Sequence, residues 1–151
     1  MSRVTLASPE LGDFAQPGPA ASVRLLLPDG HLVLPYWAGN NFVLPSGVRP
    51  TMRTMTPRHF RPDAGELDID VVLHGTGAAS EWASNLVIGH EVAVSGPGRP
   101  YEIDPDAAAF LLVGDESGIP AICQLLEVLP EVPITVHLET VHPAIRWYDR
   151  S

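Results

Sequence analysis

The fold is decided by residues 67–86, which read LDIDVVLHGTGAASEWASNL. From Leu67 to Leu73 an apolar residue occupies every second position, and this two-residue period is typical of a half-buried β-strand. The sequence Gly75-Thr76-Gly77 then interrupts the pattern, and Ala78 to Leu86 predicts a short helix. We therefore expect a strand, a glycine turn and a helix in direct succession.

The residues before this segment form short apolar runs that are separated by prolines and glycines. Val23 to Leu27 predicts a strand, whereas a proline restricts the run from His31 to Trp37 to a sheet edge or a bulge. Ala38 to Pro50 is the longest loop-like segment, and another proline limits strand pairing in the basic stretch from Thr51 to Phe60. The predicted arrangement is an antiparallel barrel of about six short strands from Val4 to Gly96.

Further along the chain the pattern changes. Phe110 to Val113 is continuously apolar, as in a strand buried on both faces, and apolar residues from Ile119 to Leu129 fall at helical spacing. Ile134 to Val141 predicts the next strand. We therefore predict a mostly β protein, with a barrel over residues 1–104 and a parallel βαβ unit over residues 105–151. The second part is expected to be incomplete, because a doubly wound domain contains several such units.

The charge of the chain excludes several kinds of partner. Its 151 residues include 9 basic and 18 acidic ones, a net charge of −9 that disfavours nucleic acid and anionic lipid. No apolar run approaches the ~20 residues of a membrane span, and the first residues show no signal-peptide pattern. Cys123 is the only cysteine and cannot form an internal disulfide. We therefore expect a cytoplasmic protein.

Three segments carry residue types that suit a nucleotide cofactor. In Arg53-Thr54-Met55-Thr56-Pro57-Arg58, two arginines can pair with a pyrophosphate and a hydroxyl can reach a ring nitrogen, although an exposed basic strand edge has the same composition. Between Leu73 and Ala83 a strand enters a Gly-x-Gly turn and a helix, which suits a phosphate but is also typical of a plain tight turn. The third segment, Leu111 to Ile122, contains Asp115 and Glu116, which suit a ring-side wall better than a phosphate site.

In their order along the chain, these segments resemble the siderophore-interacting proteins, which are flavin-dependent ferric-siderophore reductases of the ferredoxin–NADP reductase superfamily. The resemblance extends from about Val4 to Leu129. The matching positions are Arg53, Thr56 and Arg58 in the first segment, Asp68-Ile69-Asp70 and Leu73 to Ala83 in the second, and Gly114-Asp115-Glu116-Ser117 with Pro120-Ala121 in the third.

The resemblance implies a ferredoxin-reductase-like split β-barrel that binds FAD, with Thr56 near the ring, Arg53 and Arg58 near the ribityl-pyrophosphate, and Gly77 to Ser80 on the phosphates. It also implies NADPH or a ferredoxin as electron donor and a ferric siderophore as small-molecule substrate. No residue is assigned as catalytic and no metal site is assigned. The candidate cofactor-binding residues are Arg53, Met55, Thr56, Arg58, His74, Gly75, Gly77, Ala79 and Ser80, and the nicotinamide-side candidates are Gly114, Asp115 and Glu116.

Some features depart from the family pattern. Met55 replaces the tyrosine that stacks on the flavin, a loss of roughly 0.5–1.5 kcal/mol that weakens binding about tenfold. One barrel strand and the later strands of the nicotinamide domain are expected to be missing, so we expect an incomplete NADPH site, and the retention of FAD stays open. The apolar insertion from His31 to Pro50, with Tyr36, Trp37 and Phe42, is predicted to fill or line a vacated cavity.

Two functions from different classes remain open. The first is a flavin-dependent oxidoreductase related to the ferric-siderophore reductases. The second is a cofactor-free β-barrel enzyme, such as a cyclase in natural-product biosynthesis, and a non-catalytic binding module is a third reading. The colour of the purified protein separates the first two, because a flavoprotein is yellow. Open sheet edges also predict a homodimer.

Other polar residues are interpreted without a ligand. His137 and His142 flank Glu139, but the five-residue separation of the two histidines places them on opposite faces of a strand, so they predict no metal site. Asp68 and Asp70 share a strand face, and we expect their side chains to be solvated.

Overall fold

The computed structural model describes residues 1–140. No helix within this range is long and apolar enough to cross a membrane. The strands are β1 (Ser2–Ala7), β2 (Val23–Leu27), β3 (Tyr36–Trp37), β4 (Phe42–Val43), β5 (Thr51–Met55), β6 (Pro57–Arg61), β7 (Glu66–Val71), β8 (Ala93–Ser95), β9 (Phe110–Asp115) and β10 (Ile134–Glu139), and the α-helices are α1 (Ala78–Ser84) and α2 (Ile119–Val128).

Six strands form two antiparallel three-stranded sheets, ordered β1-β7-β6 and β5-β2-β8. Within residues 1–140 these sheets do not close into a continuous barrel. The prediction of a mostly β, split-barrel fold followed by a parallel unit is confirmed. The alternating apolar residues of β2 and β7 bury their side chains between the sheets. The buried core consists of Leu11, Val23, Leu25, Leu27, Leu67, Ile69 and Val71.

The segment that decides the fold forms the predicted strand, turn and helix. β7 is the central strand of its sheet, and Leu67 and Ile69 are fully buried. The strand ends at Val71, so Leu73 follows it and is 38% exposed instead of sharing the buried face. The helix likewise ends before the predicted Leu86. The types and the order of these elements are therefore as predicted, but the strand and the helix both end earlier than predicted.

Two stretches differ from the sequence-based prediction. Of the run from His31 to Trp37, only Tyr36–Trp37 is a strand, and it pairs with β4 in a separate two-stranded ribbon. The basic stretch from Thr51 to Phe60 forms two strands that belong to different sheets. Pro57 permits this because it is the first residue of β6, a position that tolerates proline.

The expectation that Asp68 and Asp70 are solvated is wrong. Asp68 is 4% exposed, and its carboxylate accepts hydrogen bonds from Thr5 Oγ1 at 2.8 Å and from the two Nη atoms of Arg61 at 2.8 and 2.9 Å. The Arg61 guanidinium holds the pKa of the Asp68 carboxyl well below its usual range. Asp70 forms a bidentate ion pair with Arg3, at 2.7 and 2.8 Å. Pairing with β1 and β6 therefore brings donors to these carboxylates in place of water.

The strands β9 and β10 are parallel neighbours joined by α2, which forms the predicted βαβ unit. Gly114 allows the helix to approach closely, since a Cβ there would lie 3.2 Å from Cδ1 of Ile122. The expectation that β9 is buried on both faces is wrong for one face, where Leu111 and Val113 are exposed, at 63% and 69%. The predicted strand end, Val141, lies outside the described residues.

Candidate functional site

A cavity of about 600 Å³ lies between the β5–β6 junction, the end of β7 and the loop that joins β9 to α2. This volume is within the range of small-molecule sites. The cavity therefore brings together parts of all three segments singled out in the sequence. Its lining residues are Thr54, Met55, Thr56, Asp70, Val71, Val72, His74, Ala79, Asp115, Glu116, Ser117, Pro120 and Glu139.

About half of the predicted site residues line this cavity. Those that do are Met55, Thr56, His74, Ala79, Asp115 and Glu116.

Sequence reasoning missed several lining residues. Asp70 and Val72 could have been found, because alternation along β7 places them on the same side as His74. Glu139 could not, because it comes from β10 and reaches the cavity through its parallel register with Asp115.

Two glycines shape the turn between β7 and α1. Gly75 and Gly77 have φ values of 81° and 93°, in the region that favours glycine. Among the described residues outside its chain neighbours, none lies within 4 Å of the position that a Cβ would take at Gly75. At Gly77 the nearest atom is Cε1 of the His74 ring, at 3.3 Å. The backbone of the turn is therefore accessible to a ligand.

Ser80 stabilises this turn from inside. Its side chain is buried, with the residue 2% exposed, and its Oγ accepts a hydrogen bond from the backbone N–H of His74 at 3.2 Å. The Ser80 carbonyl in turn accepts a hydrogen bond from Ser84 Oγ at 2.8 Å. These contacts explain why a serine occupies this position, and a contact of Ser80 with a phosphate stays a prediction.

The two arginines predicted near the pyrophosphate lie in different surroundings. Arg53 is exposed on β5, and its Nη1 donates to the Met52 carbonyl at 2.9 Å. Arg58 is buried on β6, with its side chain 5% exposed, and its guanidinium pairs with the Glu127 carboxylate on α2. In the described part of the chain, the cavity lining includes neither arginine. The sequence could not show the Arg58–Glu127 contact, because 69 positions separate the two residues.

The wall formed by the β9–α2 loop is acidic and is shaped by its own hydrogen bonds. Asp115 Oδ1 accepts from Ser117 Oγ at 2.6 Å, from the Ser117 N–H at 2.8 Å and from the Gly118 N–H at 3.3 Å. The hydrogen bonds from Ser117 lower the pKa of Asp115. Asp115 therefore fixes the loop that leads into α2. Asp115 and Glu116 both line the cavity, and their predicted role as a ring-side wall for a nicotinamide stays a prediction.

The aromatic insertion does not fill this space. Tyr36 and Trp37 are more than half exposed, and the Trp37 ring packs edge-on against Phe42 with centroids 5.0 Å apart. Among the described residues, the cavity lining contains none of these three aromatic side chains. The prediction that they fill or line the cavity is wrong, because Tyr36, Trp37 and Phe42 belong to the β3–β4 ribbon, where Trp37 packs against Phe42.

The histidines show no metal arrangement in the described range. Within residues 1–140, no group of three or more His, Cys, Asp or Glu side chains is placed to hold a metal ion. His142 lies outside the described residues.

The two split sheets, the cavity beside β5 and the βαβ unit that follows define a ferredoxin-reductase-like fold. The family profile described as the siderophore-interacting FAD-binding domain matches residues 1–101, which is about two thirds of the chain. The chain belongs to this family.

Similar proteins agree with this assignment. The NADPH-dependent ferric-chelate reductase of Escherichia coli is 34% identical over 139 residues, which cover 87% of this chain and 52% of the relative. The siderophore-interacting protein SipS of Aeromonas hydrophila is 37% identical with a TM-score of 0.68, covering 93% of this chain and 56% of the other. A siderophore utilization protein of T. fusca is 27% identical with a TM-score of 0.81, covering 97% and 57%. The chain thus spans about half the length of these relatives.

The residues around the cavity fit a flavin. Thr54 and Thr56 bring hydroxyl groups, and Met55 brings an apolar side chain, to one wall. The accessible glycine turn from Gly75 to Gly77 lies next to His74, and exposed backbone at such a turn suits a phosphate. A small-molecule site needs this combination of apolar surface and a few polar groups. The family match supports FAD as the flavin, and the cofactor-free alternative is not favoured.

Proposed function

We propose that the chain binds FAD in this cavity and acts as a flavin-dependent oxidoreductase on a ferric siderophore. The observation that carries the proposal is the meeting of three family segments around one cavity, which is lined by residues 54–56, by His74 and Ala79, and by residues 115–117. FAD exchanges electrons in pairs with a nicotinamide and singly with a ferric ion, which is the chemistry that such a reduction needs.

Each wall has a separate part in the proposed site. The Thr56 hydroxyl donates a hydrogen bond to the flavin ring, and Met55 flanks the ring where the family pattern has a tyrosine. The backbone of the turn from Gly75 to Gly77 approaches the phosphates, and the small side chain of Ala79 leaves room for them. Arg53 is exposed on the same strand as Thr54 and supplies the cation for the pyrophosphate.

The acidic loop is proposed to face the nicotinamide side. Gly114 and Asp115 end β9, and Glu116 begins the loop to α2. The carboxylates of Asp115 and Glu116 repel nucleotide phosphates and leave the ring region for the electron donor. NADPH or a ferredoxin is the proposed donor.

The Thr56→Val variant tests the ring contact. One hydrogen bond contributes about 1 kcal/mol, so we expect FAD to bind about fivefold more weakly. The matched control is Thr51→Val, because Thr51 is exposed at the other end of β5. Flavin fluorescence titration measures both affinities, and equal affinities for the two variants would remove Thr56 from the site.

The reductase activity needs its own experiment. The FAD-loaded protein is reduced without oxygen and mixed with a ferric siderophore, and a ferrous chelator reports iron release. Reoxidation of the flavin in step with ferrous iron supports the proposal. Stable reduced flavin in the presence of excess ferric siderophore contradicts it.

We also propose a homodimer, and the cytoplasmic location stays a prediction from the sequence. Leu111 and Val113 are exposed on a parallel sheet, and such sheets are normally covered on both faces. Light scattering is expected to give a dimeric mass that Val113→Lys lowers. A monomeric mass of the unmodified chain at micromolar concentration would show that no dimer is needed.

A further inference from the structure

The helix α2 is held against the β-rich part of the chain by an ion pair with the buried Arg58 and by hydrogen bonds of the Gln124 side-chain amide. Arg58 on β6 pairs with Glu127, with Nη1 3.3 Å from Oε2 and Nη2 beside Oε1. One turn earlier on the helix, Gln124 donates from Nε2 to the Pro57 carbonyl and accepts at Oε1 from the Ala20 N–H at 3.0 Å. These five residues are called the α2 clamp below.

The chemistry of the clamp is specific to these side chains. The Arg58 side chain is 5% exposed, so its charge needs a partner, and the partly exposed Glu127 carboxylate provides one. Gln124 uses its amide as donor and acceptor at once, which neither a glutamate nor an alanine can do. The clamp therefore holds the helix at two neighbouring points and against two segments of the β-rich part.

The clamp also connects the two walls of the cavity. Pro57 and Arg58 directly follow Thr56, which lines the cavity on one side. Ser117 and Pro120 line it on the other side, and Pro120 belongs to the first turn of α2. Any displacement of the helix from β6 would consequently change the distance between the walls.

We propose that Arg58, Gln124 and Glu127 are positioning residues that set the separation of the two cavity walls, and that Arg58 is not a phosphate ligand. The proposal rests on the proposed function, because the ligand between those walls is taken to be a flavin. It assigns the pyrophosphate cation to Arg53 alone.

Three flavins distinguish the two roles of Arg58. Riboflavin has no phosphate, FMN has one and FAD has two. If the clamp sets the walls, Glu127→Gln and Arg58→Met weaken the binding of all three by the same factor, about tenfold for a lost charged hydrogen bond. The double variant is then no weaker than the worse single variant. Glu131→Gln, at an exposed position beyond α2, is the control and leaves the affinities unchanged.

A phosphate role predicts the opposite pattern. Arg58→Met would then weaken FAD and FMN but spare riboflavin, and Glu127→Gln would strengthen FAD binding by releasing the arginine. That pattern overturns the proposal. Because Arg58→Met removes a buried cation and can prevent folding, Glu127→Gln alone decides between the two roles.

A second measurement does not depend on flavin. Cys123 lies on α2 next to Gln124, is partly buried, and is the only cysteine of the chain. Opening the clamp would expose its thiol, so Gln124→Ala is expected to react with a thiol reagent several-fold faster than the unmodified protein. Gln124→Ala changes no charge, so a new charge beside the thiol does not account for a difference. An unchanged rate overturns the clamp.

The two experiments separate two failures. If the unmodified chain binds no flavin but Gln124→Ala reacts faster at Cys123, the proposed function fails and the clamp stands as a hold on the helix. If the chain binds flavins but Arg58→Met weakens the binding of FMN and FAD and not that of riboflavin, the positioning role fails and the proposed function stands.

Discussion

The polar face of β7 divides into two parts that use carboxylates differently. At Asp68, donors converge from both neighbouring strands, with Thr5 on β1 and Arg61 on β6, and the carboxylate is buried. His59 Nδ1 lies 3.2 Å from the same carboxylate. At Asp70, two residues further, the carboxylate pairs with Arg3 of β1, and the residue lines the cavity.

The difference follows from where β6 begins. Pro57, its first residue, lies opposite Ile69, so β6 faces Asp68 but does not extend as far as Asp70. Beyond that point the face of β7 has only one neighbouring strand, and the space left becomes a wall of the cavity. A carboxylate between two strands thus stabilises the sheet, and one beyond the end of a strand borders the cavity.

The largest effect is expected at the buried end of this face. Asp68→Asn removes the charge that Arg61 and His59 face, and breaking a largely buried pair costs about 3 kcal/mol. Because Arg61 is partly exposed, we place the loss in the free energy of unfolding at about 2–3 kcal/mol. Urea unfolding measures it, with exposed Asp63→Asn as the control. A loss no greater than that of the control would contradict the structural role of Asp68.

The pH dependence of stability sharpens the same comparison. The pKa of folded Asp68 is lowered by Arg61, so this carboxylate stabilises the fold above the unfolded pKa of about 4. That contribution is lost as the pH falls below this value toward the folded pKa. Between pH 5 and pH 3 the unmodified chain should lose about 1 kcal/mol more than Asp68→Asn. If the free energy of unfolding of the two proteins fell by the same amount between pH 5 and pH 3, the Asp68–Arg61 pair would not determine the loss of stability in acid.

The smallest effect is expected at Met55, which lines the cavity. Met55→Tyr restores the aromatic side chain of the family pattern, and stacking on a flavin adds roughly 0.5–1.5 kcal/mol. FAD should therefore bind about three- to tenfold more tightly. Fluorescence titration measures the change, and Met52→Tyr on the same strand is the control. Weaker binding by Met55→Tyr would show that the side chain at position 55 does not flank the ring.

Local patterns predicted the parts of this molecule that depend on nearby residues. The strand from Val23 to Leu27 was predicted at its observed bounds, and the β7–turn–α1 order follows from alternation and two glycines. The burial of Asp68 was missed because its donors come from strands that are adjacent only after folding. The ion pair of Arg58 was missed for the same reason, since its partner Glu127 lies in the βαβ unit.

The lining of the cavity was likewise predictable only where a local sequence pattern was present. Thr56 and His74 were predicted because each stands in a segment with its own pattern, whereas Glu139 depends on the register of β10. The apolar content of the β3–β4 ribbon indicated a lining role, but the sequence could not show that Trp37 and Phe42 pack with each other instead.

An equilibrium titration with FAD tests the central claim, that the cavity between β5, β7 and the β9–α2 loop is a flavin site. Val72 lines the cavity, and Val72→Trp fills part of its volume without changing a charge. The unmodified chain should bind one FAD per chain with saturation, and folded Val72→Trp should lose that binding by more than tenfold, the scale of one lost interaction of about 1.4 kcal/mol. No saturable binding by the unmodified chain, or equal affinity in folded Val72→Trp, would contradict the account.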